Sequence, residues 1–287
     1  MLRLILALGA ALAITQAATA QEGRRPSHCI AVAENTPGLR FAGSTTPDRL
    51  WQANWTEPLA DYTVRIHYIA HASFLIQTPE GMTAVTDYTG PLGNTDLVPD
   101  VVTMNHAHGS HWTMSPDPRI PNVLRGWNEE QFGTPADHYI DLGGMLVRNV
   151  STDIRSSFGG TEENGNSIFV FETAGLCIGH LGHLHHEPNE EQYAALGRLD
   201  VVMVPVDGGY TMNRTNMINV IERLRSSVII PMHWFSGYAL TQFLDEIGTT
   251  FAVEQTGQPS LEVSLRDLPP RPTIMVLQPR YLSDATD

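Results

Sequence analysis

The chain has 287 residues and a formal net charge of −14, with 17 basic residues against 31 acidic ones. Every basic residue is arginine, so the absence of lysine excludes Schiff-base and phosphate-loop lysine chemistry. The acidic balance argues against a nucleic-acid partner, and the length suits one large domain with a well-buried core.

The chain begins "MLRLILALGAALAITQAATAQ". One arginine, an apolar run from Leu4 to about Ile14 and the small-residue stop Ala18-Thr19-Ala20 have the form of a cleavable secretory signal over residues 1–20. Its apolar core is too short to span a bilayer. The expectation is an exported, periplasmic protein with no membrane contact after cleavage. Residues 21–60 are rich in Pro, Thr, Gly and Arg with little periodicity, which predicts an extended lead-in. Residues 61–287 are predicted to form one domain.

From Val64 the texture becomes β-rich. "VRIHYIAHASFLIQT" and "MTAVTDY" are separated by the turn signal Pro79-Glu80-Gly81 and predict a hairpin. "DVVTMNH" predicts a buried strand ending in a histidine loop, and "MLVRNV", "SIFVFET" and "LCIGHLG" predict further short strands. Alternation follows: helix "PNEEQYAALGRL", strand "DVVMVPV", helix "TNMINVIERLRS", strand "SVIIPMHW", helix "ALTQFLDEIG" and strand "TIMVLQP". In the second helix Met217, Val220, Ile221 and Leu224 share one face. Apolar strands with helices between them predict a helix-covered sheet. Cys29 and Cys177 are the only cysteines. Export permits a disulfide, but Cys177 within a predicted buried strand favours an inert core thiol.

Twelve histidines are present, and eight fall at the ends of three predicted strands. These are His106, His108 and His111; His180, His183, His185 and His186; and His233. Loops at strand ends are where α/β proteins build sites. Neutral imidazoles at such spacing suit a tetrahedral divalent cation, with one position left for an activated water.

The ordered segments "YIAHASFLI", "TDY", "HAHGSH", "GHLGHLHH", "VPVDGGYT" and "IPMHW" resemble the metallo-β-lactamase superfamily. The branch is that of metal-dependent hydrolases that includes ascorbate-6-phosphate lactonase-like proteins. The resemblance covers residues 64–234. It implies an α/β fold of four layers, an αββα sandwich with the metal cleft along one edge. The family's H-x-H-x-D-H falls on His106, His108, Ser110 and His111, so its aspartate is missing. The bridging aspartate of the family's G-D element falls on His183, and the last ligand on His233. No histidine stands near "VSTDIR", which leaves Asp153 as the oxygen donor there. Asp87 matches the acid that braces the histidine loop.

Without two anionic ligands, a pair of divalent ions would repel one another, so one metal per chain is expected. His111, His183 and His233 are the favoured ligands; His106, His108 and Asp153 are the competing set. Asp207 and His180 are the candidate catalytic groups. Asp207 is read as proton acceptor or anchor. His180, with His71 and Asp87, is a candidate to orient a ligating ring. His185 and His186 are read as loop surface or extra ligands. Trp112, Tyr210 and Trp234 flank the motifs as pocket walls or as packing. Zinc is the first choice of metal, with iron or manganese as alternatives. The expected function is hydrolysis of a small-molecule ester, lactone, amide or phosphoester by a metal-activated hydroxide. The alternative is a non-catalytic periplasmic protein that keeps the fold and binds a metal or ligand.

Overall fold

Side chains of a strand alternate between its two faces, so a strand covered on both sides reads as an unbroken apolar run. Val201 and Met203 join one core while Val202 and Val204 join another, and Ile274 and Met275 divide in the same way. The computed structural model describes residues 24–30, 54–106, 108–156, 158–248 and 250–284. The expected signal segment and residues 21–23 and 31–53 of the expected lead-in lie outside them.

In chain order the first strands are β1 (Thr63–Ala70), β2 (Ser73–Gln77), β3 (Thr83–Val85), β4 (Gly93–Asn94), β5 (Val101–Met104) and β6 (Asn122–Arg125). Then come β7 (Tyr139–Asp141), β8 (Leu146–Arg155), β9 (Thr161–Thr173) and β10 (Leu176–His180). Helix α1 (Glu190–Leu196) leads to β11 (Val201–Pro205), α2 (Arg214–Leu224), β12 (Val228–Met232) and α3 (Gly237–Ile247). The last strands are β13 (Ala252–Gln255), β14 (Ser260–Ser264), β15 (Thr273–Val276) and β16 (Leu282–Ser283). No helix among the described residues is long and apolar enough to cross a membrane.

The fold is an α/β sandwich of two mixed sheets. One has the order β14-β1-β2-β3-β5-β6 and the other β13-β15-β12-β11-β10-β9-β8-β7. Their facing sides share the central core, with Ile66, Phe74 and Ala84 from the first sheet and Phe169, Ile178 and Met203 from the second. A second core packs Leu196 of α1, Met217 and Ile221 of α2 and Phe243 of α3 on the outer face of the larger sheet. On the outer face of the smaller sheet, Leu75, Val85 and Val102 are covered by Tyr88, Leu92, Ile120 and Leu282. These come from loops and the short β4–β16 ladder, so no helix covers that face among the described residues.

The helices begin where the caps dictate. Asn189 and Gln192 form a reciprocal capping box at α1, and the Asn213 side chain accepts from the Asn216 N–H at α2. Two expectations are corrected. The run Val64–Thr78 is not one strand: it turns back at His71, which adopts φ +49°, so that β1 and β2 pair antiparallel. And Cys177, buried on β10 as its apolar setting predicts, is not a free thiol but is joined to Cys29 by a disulfide. That bond ties residues 24–30 to the larger sheet. At Gly197 a Cβ would lie 2.8 Å from the Cys29 carbonyl oxygen, so only glycine lets the end of α1 meet this segment.

Candidate metal centre

β1, β3 and β5 run in one direction within the smaller sheet, as β10, β11 and β12 do in the larger. The loops that follow them supply every group of the site. His71 lies after β1, Asp87 after β3, His108 and His111 after β5, His183 after β10, Asp207 after β11 and His233 after β12. Three of these residues, His71, Asp87 and His233, hold left-handed φ values of +49°, +40° and +58°. Such backbone costs energy for non-glycine residues and concentrates where geometry is imposed by neighbours. Here the His233 N–H donates to the His71 carbonyl at 2.9 Å, which joins two of the loops.

Ligand atoms of His71, His108, His111 and His233 all lie within 4.8 Å of one another. His183 stands outside that set but against it: its Nδ1 is 2.9 Å from His111 Nε2, which is itself 3.2 Å from His233 Nε2. Two carboxylates stand behind these rings. His111 Nδ1–H donates to Asp87 Oδ2 at 2.5 Å, and His233 Nδ1 lies 2.9 Å from Asp207 Oδ2. The first pairing puts the proton on His111 Nδ1 and leaves its Nε2 lone pair facing the cluster, while the second sets a carboxylate beside His233 Nδ1 without an aligned hydrogen bond. Ser110 has a role of its own: its Oγ is hydrogen-bonded to His108 Nδ1 at 2.7 Å and restrains that ring.

The frame around the cluster is polar and buried. Asn105 Nδ2 donates to Asp87 Oδ1 at 2.8 Å, while its Oδ1 accepts from the Ser167 N–H at 2.8 Å. Asn166 Oδ1 accepts from the His183 N–H at 2.8 Å. Gly182 (φ +60°) sits between these two amides, and a Cβ there would lie 2.4 Å from Asn105 Nδ2. Asp207 Oδ1 accepts from the N–H groups of Gly209, Tyr210 and Thr211, so one carboxylate shapes its own loop and braces His233.

Burial lowers the His71 imidazole to about 3, and the neighbouring His233, His111 and His108 act in the same direction. Burial first, and the adjacent imidazoles second, also lower His183, His111 and His108. The rings are therefore neutral, which is the ligating form. Burial raises Asp87 to about 6, opposed by nearby His180 and by the hydrogen bond from Asn105. Burial would also raise Asp207, but the adjacent His233 and hydrogen bonds from Thr211 and the Gly209 N–H hold it below the usual carboxylate range.

This donor set fits a divalent cation. Nitrogens about 2.0–2.1 Å from a tetrahedral ion stand ~3.3 Å apart, close to the 2.9 and 3.2 Å separations found here. Neutral imidazoles with converging lone pairs repel unless a cation or a proton lies between them. The group contains no carboxylate that could bridge a second ion.

Of the residues singled out in the sequence, His108, His111, His183 and His233 come together. His106 does not: its Nδ1 is 2.8 Å from Glu162 Oε1, and its ring packs against Trp127 with centroids 5.1 Å apart. Asp153 is also elsewhere, with Oδ1 accepting from the Asn164 N–H at 2.9 Å. The competing set is therefore split. His180 is fully buried and its Nε2 donates to the Ala72 carbonyl at 2.8 Å, so it anchors the β1–β2 turn and has no access to a substrate. His185 uses both nitrogens, accepting from the Arg155 N–H and donating to the Tyr210 carbonyl, and His186 is exposed. His71, read in the sequence only as a supporting ring, stands inside the cluster. The signal that marks it is its place at a chain reversal within an apolar run.

A model of the beta-lactamase superfamily domain matches residues 65–233. A UPF0173 metal-dependent hydrolase of Methanoculleus marisnigri is 27% identical over 210 residues, covering 67% of this chain and 90% of the relative. One of Thermoplasma acidophilum is 23% identical over 151 residues, covering 48% and 67%. Among solved structures, a candidate zinc-dependent hydrolase of the metallo-beta-lactamase superfamily from Thermotoga maritima aligns with a TM-score of 0.53 and 25% identity. That alignment covers 75% of this chain and 98% of the other.

Proposed function

The chain belongs to the beta-lactamase superfamily, and on that premise we propose that it is an exported metal-dependent hydrolase holding one divalent cation. The observation that carries the proposal is the convergence of His111 Nε2, His233 Nε2 and His183 Nδ1 within 3.2 Å of His111 Nε2, with Asp87 and Asp207 behind two of the rings. His108 and His71 are the further donors at the same place.

Zinc is the first choice, because an all-imidazole set of this kind suits it, with iron or manganese as alternatives. A cation in this set supplies a water that ionises near neutral pH and a Lewis acid for the bond being cleaved. The remaining work falls to the chain. Asp87 fixes the tautomer of His111, Asp207 stands beside His233 Nδ1, and the two carboxylates keep both rings from rotating. Ser110 restrains the His108 ring through its Nδ1. Asn105 and Asn166 hold the loops that carry them. The substrate is a small-molecule ester, lactone, amide or phosphoester. Export is supported by the leader-like first twenty residues and by the Cys29–Cys177 disulfide, a bond that persists in oxidising compartments.

Elemental analysis of the purified protein tests the reading directly. One cation per chain is expected; two would overturn the mononuclear reading. Turnover is expected on a panel of neutral esters and lactones with zinc, manganese or iron added. One bound cation with no turnover across that panel would instead make the chain a binding protein.

A further inference from the structure

A single exposed ring is ordinary, but adjoining exposed rings form a patch that marks a binding surface. Phe235 is 60% exposed and Tyr210 71% exposed. Their rings meet edge to face with centroids 5.3 Å apart. Phe235 also lies 5.1 Å from the His71 ring and 5.0 Å from the His233 ring, so the pair borders the cluster itself.

Neither ring sits on loose backbone. The Tyr210 N–H donates to Asp207 Oδ1 at 2.5 Å, and its carbonyl accepts from Arg155 Nη2 at 2.6 Å and His185 Nε2 at 2.9 Å. Phe235 follows two residues after His233. The carboxylate that braces His233 therefore also sets the Tyr210 loop, which fixes the aromatic wall relative to the imidazoles.

Charge narrows what the wall receives. Phosphoryl chemistry uses arginine, lysine or metal-ion clamps, and beside a single cation the remaining phosphate charge falls to basic side chains. The chain has no lysine. Of the two arginines against this loop, Arg155 directs Nη2 at the carbonyls of Gly209, Tyr210 and Thr211, and Arg214, beside Gly208, pairs with Glu246. The charged groups hydrogen-bonded to Tyr210 are the Asp207 carboxylate, which accepts from the Tyr210 N–H, and Arg155, whose Nη2 is taken up by those carbonyls. Resting on the hydrolase reading of the site, we propose that Tyr210 and Phe235 bind the apolar part of the substrate. The substrate class is then neutral aryl or alkyl esters and lactones, not phosphate or carboxylate compounds.

The test is a chain-length series of p-nitrophenyl esters, acetate to hexanoate, beside p-nitrophenyl phosphate, with the protein as purified. A buried methylene is worth about 0.8 kcal/mol, roughly fourfold in affinity. We expect kcat/KM to rise two- to fourfold per methylene, with the phosphate at least ~100-fold poorer than the butyrate. Phe235→Ala or Tyr210→Ala should flatten that rise while one cation per chain is retained. Tyr62→Ala, at a ring 70% exposed just before β1, should leave the slope unchanged. In parallel, calorimetry with alkyl phenyl ethers should show the same chain-length dependence in binding and its loss in Phe235→Ala. A flat series in the unaltered protein, a slope indifferent to both substitutions, or preference for the phosphate overturns the proposal. Ether binding that depends on Phe235 with no ester or lactone turned over sinks the hydrolase reading and leaves the apolar subsite standing. Ester turnover with no chain-length dependence does the reverse.

Discussion

Around Glu172 every polar atom has a partner, whereas around His111 the imidazole nitrogens face one another. Glu172 Oε1 accepts from Ser27 Oγ at 2.5 Å and Arg148 Nε at 2.8 Å, and Oε2 from the His28 N–H at 3.1 Å. Arg148 spends its other nitrogens on the Ala195 and Leu196 carbonyls at the end of α1, both at 2.7 Å. Glu172 and Arg148 are buried, as His111 and His233 are. The two centres differ in bookkeeping: the first is closed with its charges matched, and the second is an excess of neutral donor atoms with carboxylates on the outside only. A satisfied buried network specifies structure, while nitrogens aimed at one point suit a cation held there. Substitution should therefore cost folding at the first centre and ligand at the second.

The largest effect is expected from His183→Ala. It should bring the bound cation from one per chain to near zero and lower kcat/KM by about 10⁴ or more. Because the ring's nitrogen contact in the cluster is with His111, denaturant unfolding of the metal-free protein should shift by less than about 2 kcal/mol. A larger loss of stability with metal retained would place His183 in the structural class with Glu172.

Glu172→Gln should do the opposite, costing about 3 kcal/mol of stability by leaving Arg148 buried beside a neutral amide, with metal content unchanged. The pH dependence carries a definite sign. Burial alone would raise Glu172, but hydrogen bonds from His28, Ser27 and Arg148 bring it down from the ordinary carboxylate value of 4.5 to about 2. A depressed carboxylate stabilises fully above its unfolded pKa and loses that contribution as pH falls through the folded one. The stability gap between the unaltered protein and Glu172→Gln should thus be full above about pH 5 and close as pH falls toward about 2. A gap that is constant with pH would show the pair to be neutral in its contribution.

Asp207→Asn is intermediate, because it disturbs a ligand's support without removing the ligand. A loss of orientation for His233 should weaken cation binding by 10- to 100-fold in a chelator competition, with folding little changed.

The same contrast explains what could be read from sequence. β10, β11 and β12 are apolar on both faces and announce themselves, as do helices opened by Asn189 and Asn213. Short edge strands such as β7 and β13 are paired by backbone alone and carry little side-chain pattern, so they were not legible. In the site, histidine density at strand ends marked the right loops. Spacing could not separate His106 from His108, because His106 turns to Glu162, 56 residues away. The disulfide, 148 residues apart, was equally invisible to local pattern. Long-range partners decide which of several suitable residues enters the cluster.

His71 is where this contrast predicts the smallest effect. Its Nε2 is buried and has no hydrogen-bond partner among the described residues, which places it with the open cluster. Its ring centroid is 4.1 Å from that of His233. Yet no carboxylate stands behind it, and its carbonyl, which accepts from the Tyr68 hydroxyl at 2.6 Å and the His233 N–H at 2.9 Å, already fixes its loop. A ring oriented only by its backbone loses more freedom on ligation than one already hydrogen-bonded, so it contributes less. His71→Ala should weaken cation binding by about 3- to 10-fold, well below the effect of removing His183. Chelator competition on the two variants side by side measures the difference. Equal losses would make His71 a full ligand whose orientation costs nothing, and no loss would make its ring a wall of the cleft beside Phe235.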